Sequence, residues 1–170
     1  ARLIKSKGLL DYANASKIVK LVYPDARFLL YGFPDDHEDS IEELEIINSW
    51  RDNYGVEYFG FTNDPVDTIS KCSVYVLLSY NEGTPRSVLE AMAMGRPIIT
   101  TDVPGCRETV SEGSNGYLVA LKDPQSAADA MIKLLDHDLR EDMGASSRHI
   151  CEEKYDVHLV NQSIIEGLKI

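Results

Sequence analysis

In "VYVLLSYNEGTPRSVLEAMAMGRPIITT" (residues 74–101), an apolar run leads into a Gly-Thr-Pro turn, a helical stretch and a second run of strand character. The runs 74–79 and 97–101 read as strands, and their largely continuous apolar character marks strands covered on both faces. Pro85 stands at the helix start and Gly95 just beyond its end, the usual asymmetry of helix termini. Strand, helix and strand in succession form a parallel crossover unit.

The same alternation extends along the chain. "FLLYG" (28–32), "VEYFGF" (56–61) and "GYLVA" (116–120) read as further strands. Leu9, Tyr12, Ala15, Val19 and Val22 recur at helical spacing, which predicts a helix over 8–22 that stops at Tyr23-Pro24. Helices are also predicted over 38–54, capped by Asp39 or Ser40, and over 64–72, with Asp64 as cap and Pro65 in the first turn. Asp123 and Pro124 open another, with Ala127, Met131, Leu134 and Leu135 on one side, and stretches 138–153 and 157–168 follow. The expected fold class is α/β: one doubly wound, mostly parallel sheet with helices on both faces, over residues 1–170.

Of the 170 residues, 44% are hydrophobic and 26% charged, a composition that supports one soluble core. "ARLI" at the start reads as the tail of a strand, so the chain is expected to be a piece of a longer protein. The net charge of −11 argues against nucleic acid as partner, because phosphate neutralisation supplies most non-specific affinity there. It argues equally against an anionic membrane surface. Cys72, Cys106 and Cys151 have no metal-ligand spacing and read as buried free thiols.

Ligands of open parallel sheets collect beyond the carboxyl ends of the strands. Arg2 and Lys7, Gly32, Phe61 and Thr62, and Tyr80 through Thr84 all fall at such ends. Taken singly, Arg2, Lys7 and Glu82 read as solvated charges, and Gly83 and Pro85 as turn and helix-start residues. Their convergence is what points to a site. Glu90 sits among Val88, Leu89, Ala91, Met92 and Ala93, which predicts a carboxylate flanked by core and in need of partners. Backbone N–H groups at a helix start suit a phosphate, Arg2 and Lys7 suit a diphosphate, and Glu90 can accept two hydrogen bonds from a ribose diol. Glu82 then reaches hydroxyls on the far side of the phosphates.

"EGTPRSVLE" (82–90), "AMAMGRPIITTDVPGCRETV" (91–110) and "NGYLV" (115–119) resemble the signature of retaining glycosyltransferase family 4, and "ARLIKSKG" (1–8) resembles the first strand and loop of that family's C-terminal domain. The resemblance covers nearly the whole chain. It implies one Rossmann-like half of a GT-B fold, the donor-binding C-terminal half. It also implies that Arg2 and Lys7 contact the diphosphate, that Glu82 meets the donor sugar, and that Gly83, Thr84 and Pro85 face sugar and phosphate. Glu90 then meets the nucleotide ribose, while Phe61 and Thr62 lie along the base. Ala1 departs from the glycine many members carry. Helix 156–168, capped by Asp156, is expected to cross back to the N-terminal domain.

The implied activity is sugar transfer, with retention, from a nucleotide-diphosphate sugar to an acceptor hydroxyl. The resemblance to members building bacterial capsule, O-antigen or glycan-lipid chains implies a UDP-hexose or UDP-N-acetylhexosamine donor and a saccharide or lipid-linked acceptor. No cofactor or essential metal is implied, since the cations take the metal's place. Acceptor and any membrane contact are assigned to the other half, and the location to the cytoplasm. The fragment alone is expected to bind nucleotide and catalyse little. "DHD" (136–138) and "PDDHED" (34–39) read as surface charge and as a solvated loop, and Arg107–Glu108 as a helix-start ion pair. Another GT-B chemistry, epimerisation or phosphorolysis, and a non-enzymatic nucleotide-binding module stand as alternatives. The Glu82–Glu90 pair argues against the first; a receiver-like module wants an acidic cluster at its strand ends, where this chain offers Arg2, Lys7 and a phosphate-type helix start.

Overall fold

Every strand pairing among the described residues is parallel, as strands covered on both faces require. The structure is a computed structural model that describes residues 2–34 and 47–168. β1 (Arg2–Leu3) pairs with β3 (Phe33–Pro34), and β2 (Phe28–Leu30) pairs with β4 (Val56–Tyr58). β5 (Tyr75–Leu77), β6 (Ile98–Thr101) and β7 (Gly116–Val119) form a third ladder in the order β5-β6-β7.

Seven α-helices accompany these strands among the described residues, the last three in succession after β7: α1 (Leu9–Val22), α2 (Trp50–Tyr54), α3 (Pro65–Ser70), α4 (Arg86–Ala93), α5 (Pro124–Lys133), α6 (His137–Tyr155) and α7 (Val157–Leu168). Short 3-10 turns occupy Lys5–Lys7 and Arg107–Thr109.

Successive residues of the central strands enter opposite layers, which is what makes the fold doubly wound. Leu77 and Ile98 pack with Val88, Ala91 and Met92 of α4 and with Val103 and Cys106. Leu78, Ile99 and Val119 pack with Ala13, Ala15 and Val19 of α1 and with Ala127, Ala128 and Met131 of α5. All four residues of β6 are buried, so the continuous run at 98–101 is a strand covered on both faces. α1 lies against α5 on one face, and α4 lies against α6 on the other.

Element boundaries differ from the sequence expectations in several places. The strands expected over 28–32 and 56–61 end earlier, at Leu30 and Tyr58. Beyond them the chains stay linked by Phe59 N–H to the Leu30 carbonyl (3.0 Å) and Gly32 N–H to the Gly60 carbonyl (2.9 Å). α4 starts at Arg86, with Pro85 in the N-cap position. Leu135, expected on the apolar side of α5, lies beyond the helix end and is 40% exposed, while Leu134 is buried. Of the helix expected over 38–54, the part up to 46, with Asp39 and Ser40, lies outside the described residues, as does Ala1.

Asp64, Asp123 and Asp136 each cap a helix by accepting from the backbone N–H three residues further on. The Asp136 cap gives the 136–138 stretch a structural explanation. At α5, Asp123 Oδ1 accepts from Ser126 N–H at 3.0 Å with Pro124 in the first turn. Asp123→Ala is expected to lower stability by about 1 kcal/mol. Urea unfolding should show the midpoint moving down with an unchanged slope.

Along α7, Val157, Ile164, Ile165 and Leu168 are each more than half exposed, and no residue of the helix is buried. No helix among the described residues is long and apolar enough to cross a membrane.

Candidate functional site

The carboxyl end of β5 runs directly into the loop Leu78–Thr84, and β6 holds that end in place. Thr100 Oγ1 donates to the Leu77 carbonyl at 2.7 Å, and Thr101 Oγ1 donates to the Ser79 carbonyl. Both threonines and Ser79 are buried, so these hydroxyls satisfy carbonyls that would otherwise lose water without replacement. Ser79 Oγ then donates to Glu82 Oε1 at 2.7 Å.

Lys7 reaches the same oxygen from the other side. Its Nζ is in contact with Glu82 Oε1, across 75 residues of sequence. The approach depends on Gly8, which adopts φ +65° and lies so close to β5 that an added Cβ would stand 2.0 Å from the Leu78 carbonyl oxygen. Tyr80 N–H donates to the Ser6 carbonyl at 2.8 Å, and Tyr80 Oη donates to Asp11 of α1 at 2.9 Å. Burial, followed by that hydrogen bond to Asp11, pushes the Tyr80 phenol up to about 12, so it stays protonated as a donor.

On the opposite side of the loop, Gly105 has φ +84°, and a Cβ there would stand 2.2 Å from the Gly83 oxygen and 2.3 Å from the Glu82 oxygen. The loop is therefore gripped from both sides by backbone.

The Lys7 and Glu82 side chains are only 16% and 14% exposed. Glu82 is thus a nearly buried, paired carboxylate rather than the solvated loop charge it reads as in isolation. Among the described residues, Oε1 takes both protein contacts and Oε2 takes none.

Lys7 also lines a cleft of about 710 Å³, together with Arg2, Phe61, Thr62, Ser87 and Glu90. The walls include β2 and β5. Among the described residues, the cleft lining contains five Lys or Arg residues and one carboxylate, Glu90. Their partners include Glu57 for Arg27, Asp67 for Lys71, Glu82 for Lys7, and the Leu134 and Leu135 carbonyls for Arg140.

Glu90 corrects an expectation. The composition of its helix predicts a buried carboxylate, but it is exposed on α4. Val88, Ala91 and Met92 turn inward at helical spacing, which leaves Arg86 and Glu90 outside. Gly83, Thr84 and Pro85 do not line the cleft; the first two are exposed and Pro85 is buried. Phe61, 61% exposed, meets Phe33 edge-to-face with centroids 5.4 Å apart.

Other expectations shift in detail. Arg107 pairs with Asp102, Nε to Oδ1 at 2.8 Å, and not with its neighbour Glu108, because the 3-10 turn carries it back over the preceding loop. All three cysteines are free, but only Cys106 is buried; Cys72 and Cys151 are half-buried. Burial pushes the Cys106 thiol up, which keeps it protonated and inert. Among the described residues, no group of three or more His, Cys, Asp or Glu could hold a metal ion. The stretch 35–39 lies outside them.

Sequence reading missed Ser79, Thr101 and Gly105. The hydroxyls at the end of an otherwise apolar strand were the available signal, because such groups need buried acceptors.

The family described as "Glycosyl transferases group 1" matches residues 1–137. The chain belongs to that family. An N,N'-diacetylbacillosaminyl-diphospho-undecaprenol alpha-1,3-N-acetylgalactosaminyltransferase of Campylobacter jejuni is 30% identical over 167 residues, 98% of this chain and 42% of that protein. The capsular polysaccharide biosynthesis glycosyltransferase CapM of Staphylococcus aureus is 29% identical over 160 residues, 94% of this chain and 42% of that protein. This group 1 glycosyl transferase chain therefore spans about two fifths of the curated relatives it matches. The structure of Anabaena HepE (Alr3699) in complex with UDP and glucose superposes with a TM-score of 0.87 at 22% identity, covering 99% of this chain and 46% of that one. The fold of the group 1 chain is one Rossmann-like half of a GT-B glycosyltransferase.

Proposed function

We propose that this chain is the donor-binding, C-terminal half of a retaining glycosyltransferase of family 4. It serves transfer of a hexosyl or N-acetylhexosaminyl group from a UDP-linked donor to a saccharide or lipid-linked acceptor in surface-polysaccharide synthesis. One observation carries this reading: Lys7 and Glu90 line a single cleft, and Lys7 touches Glu82, so one site unites a cation with both motif carboxylates. The relatives' names support the reaction class, and the UDP and glucose bound by HepE support the donor class.

In this reading Arg2 and Lys7 face the diphosphate, Glu90 the ribose, Glu82 the sugar, and Phe61 and Thr62 the base. Gly83 and Thr84, with Pro85 beneath them, shape the turn between sugar and phosphate. As the bond from the anomeric carbon to the diphosphate oxygen breaks, the leaving group takes the electron pair, and the two cations stabilise that growing charge. They fill the role of a metal ion, so no cofactor is required. The acceptor oxygen forms the new bond, and its proton goes to the donor phosphate or to a base from the other half. We assign the acceptor site and any membrane contact to that half, with α7 crossing back to it, and the parent enzyme to the cytoplasm. Nucleic acid is not a partner of so acidic a chain.

Calorimetric titration with UDP, GDP and ADP tests the reading. One nucleotide should be preferred, and Glu90→Gln should weaken it about tenfold, the low end for charge-assisted hydrogen bonds because Glu90 is exposed. Binding by Glu90→Gln equal to the wild type would contradict the ribose role.

A further inference from the structure

The cation that faces the diphosphate in the reading above is held by a carboxylate. Lys7 Nζ touches Glu82 Oε1, Ser79 Oγ holds the same oxygen at 2.7 Å, and Ser79 itself is fully buried and tied to Thr101. The Glu82 side chain, 14% exposed, therefore has little room to retreat. We infer that Glu82 makes this site discriminate an intact nucleotide sugar from the nucleoside diphosphate left after transfer. This rests on the proposed donor-binding role of the cleft.

A diphosphate drawn to Lys7 approaches a fixed negative charge. If Lys7 stays on Glu82, the phosphates and the carboxylate repel one another across a short distance in a poorly hydrated site. If Lys7 leaves for the phosphates, a mostly buried carboxylate keeps only the Ser79 hydroxyl. Either route penalises a bare nucleoside diphosphate, whose terminal phosphate also carries additional charge near neutral pH.

A nucleotide sugar arrives with that terminal phosphate esterified, so it carries less charge. It also brings hydroxyl donors, and Glu82 Oε2, which takes no protein hydrogen bond among the described residues, is available to accept from them. The sugar thus offsets the penalty that its own loss restores. Ser79 acts as a positioning residue, because its hydroxyl fixes which oxygen is occupied and which remains for ligand.

Glu82→Gln removes the charge but keeps the size and an acceptor for Ser79. In calorimetry on the chain, it is expected to bind UDP about tenfold more tightly than wild type. UDP-glucose and UDP-N-acetylglucosamine should bind no more tightly than before, so the preference for sugar-bearing ligand falls at least tenfold. Ser79→Ala keeps the charge but frees the carboxylate. It should lower the same preference several-fold, a readout independent of whether Glu82→Gln folds well. A Glu82→Gln chain that weakens UDP and UDP-sugar by the same factor, or leaves UDP unchanged, overturns the inference while leaving the nucleotide-sugar reading intact. A wild-type chain that binds neither UDP nor any UDP-sugar overturns that reading itself.

Discussion

Gly105→Ala is expected to destabilise the chain by about 2–3 kcal/mol and to lower its preference for UDP-sugar over UDP several-fold. Two separate costs combine at this position. The backbone has φ +84°, where an L side chain is strained. The new Cβ would also stand 2.2 Å from the Gly83 oxygen and 2.3 Å from the Glu82 oxygen. Those neighbours are backbone atoms, so relief requires moving the loop itself by roughly 1 Å, to reach ordinary van der Waals separation. Such a shift moves Glu82 away from Ser79 and Lys7, and misplacements of that size can reduce turnover by about a hundredfold. Urea unfolding and calorimetry on the same sample separate the two effects. Wild-type stability together with a wild-type preference for UDP-sugar over UDP would show that the 102–108 segment does not position the loop.

Lys7→Met is expected to abolish measurable UDP binding and to lower stability by about 1–3 kcal/mol. The first effect is the loss of a cation from the cleft. The second arises because Glu82, 14% exposed, is left with Ser79 as its remaining partner. The double change Lys7→Met with Glu82→Gln divides them. Stability should return to near the wild-type value, because no unpaired charge remains, while UDP binding should stay lost. The two positions should accordingly show a large coupling energy in stability. Additive losses would mean the Lys7–Glu82 contact contributes little to the fold.

Much of this architecture was legible because doubly covered parallel strands write themselves as continuous apolar runs. The stretch 98–101 is buried at every residue, and Asp64-Pro65 and Asp123-Pro124 announce their helices by local chemistry that tertiary structure did not override. Burial of Glu90 was misread because the helix is short. Over the eight residues 86–93, nearly any apolar set spreads around the helix, and only its orientation on the sheet separates Val88, Ala91 and Met92 from Glu90.

Within the site, a strand end pointed to Lys7 and a helix to Glu90, which line one cleft, but nothing pointed to the Lys7–Glu82 contact. That contact joins positions 75 residues apart, and it depends on a close approach of Gly8 to Leu78 that no local pattern encodes. Ser79 and Thr101 were legible only as hydroxyls in need of buried partners, for a related reason. A buried hydroxyl becomes functional through the partner it finds, and the partner lies on another strand.

A crystal structure of the chain with UDP bound tests the central claim most directly. The diphosphate should lie beside Lys7, with the ribose hydroxyls within hydrogen-bond distance of the Glu90 carboxylate. Nucleotide bound away from this cleft, or bound in it with the ribose remote from Glu90 and the phosphates remote from Lys7, would contradict the account.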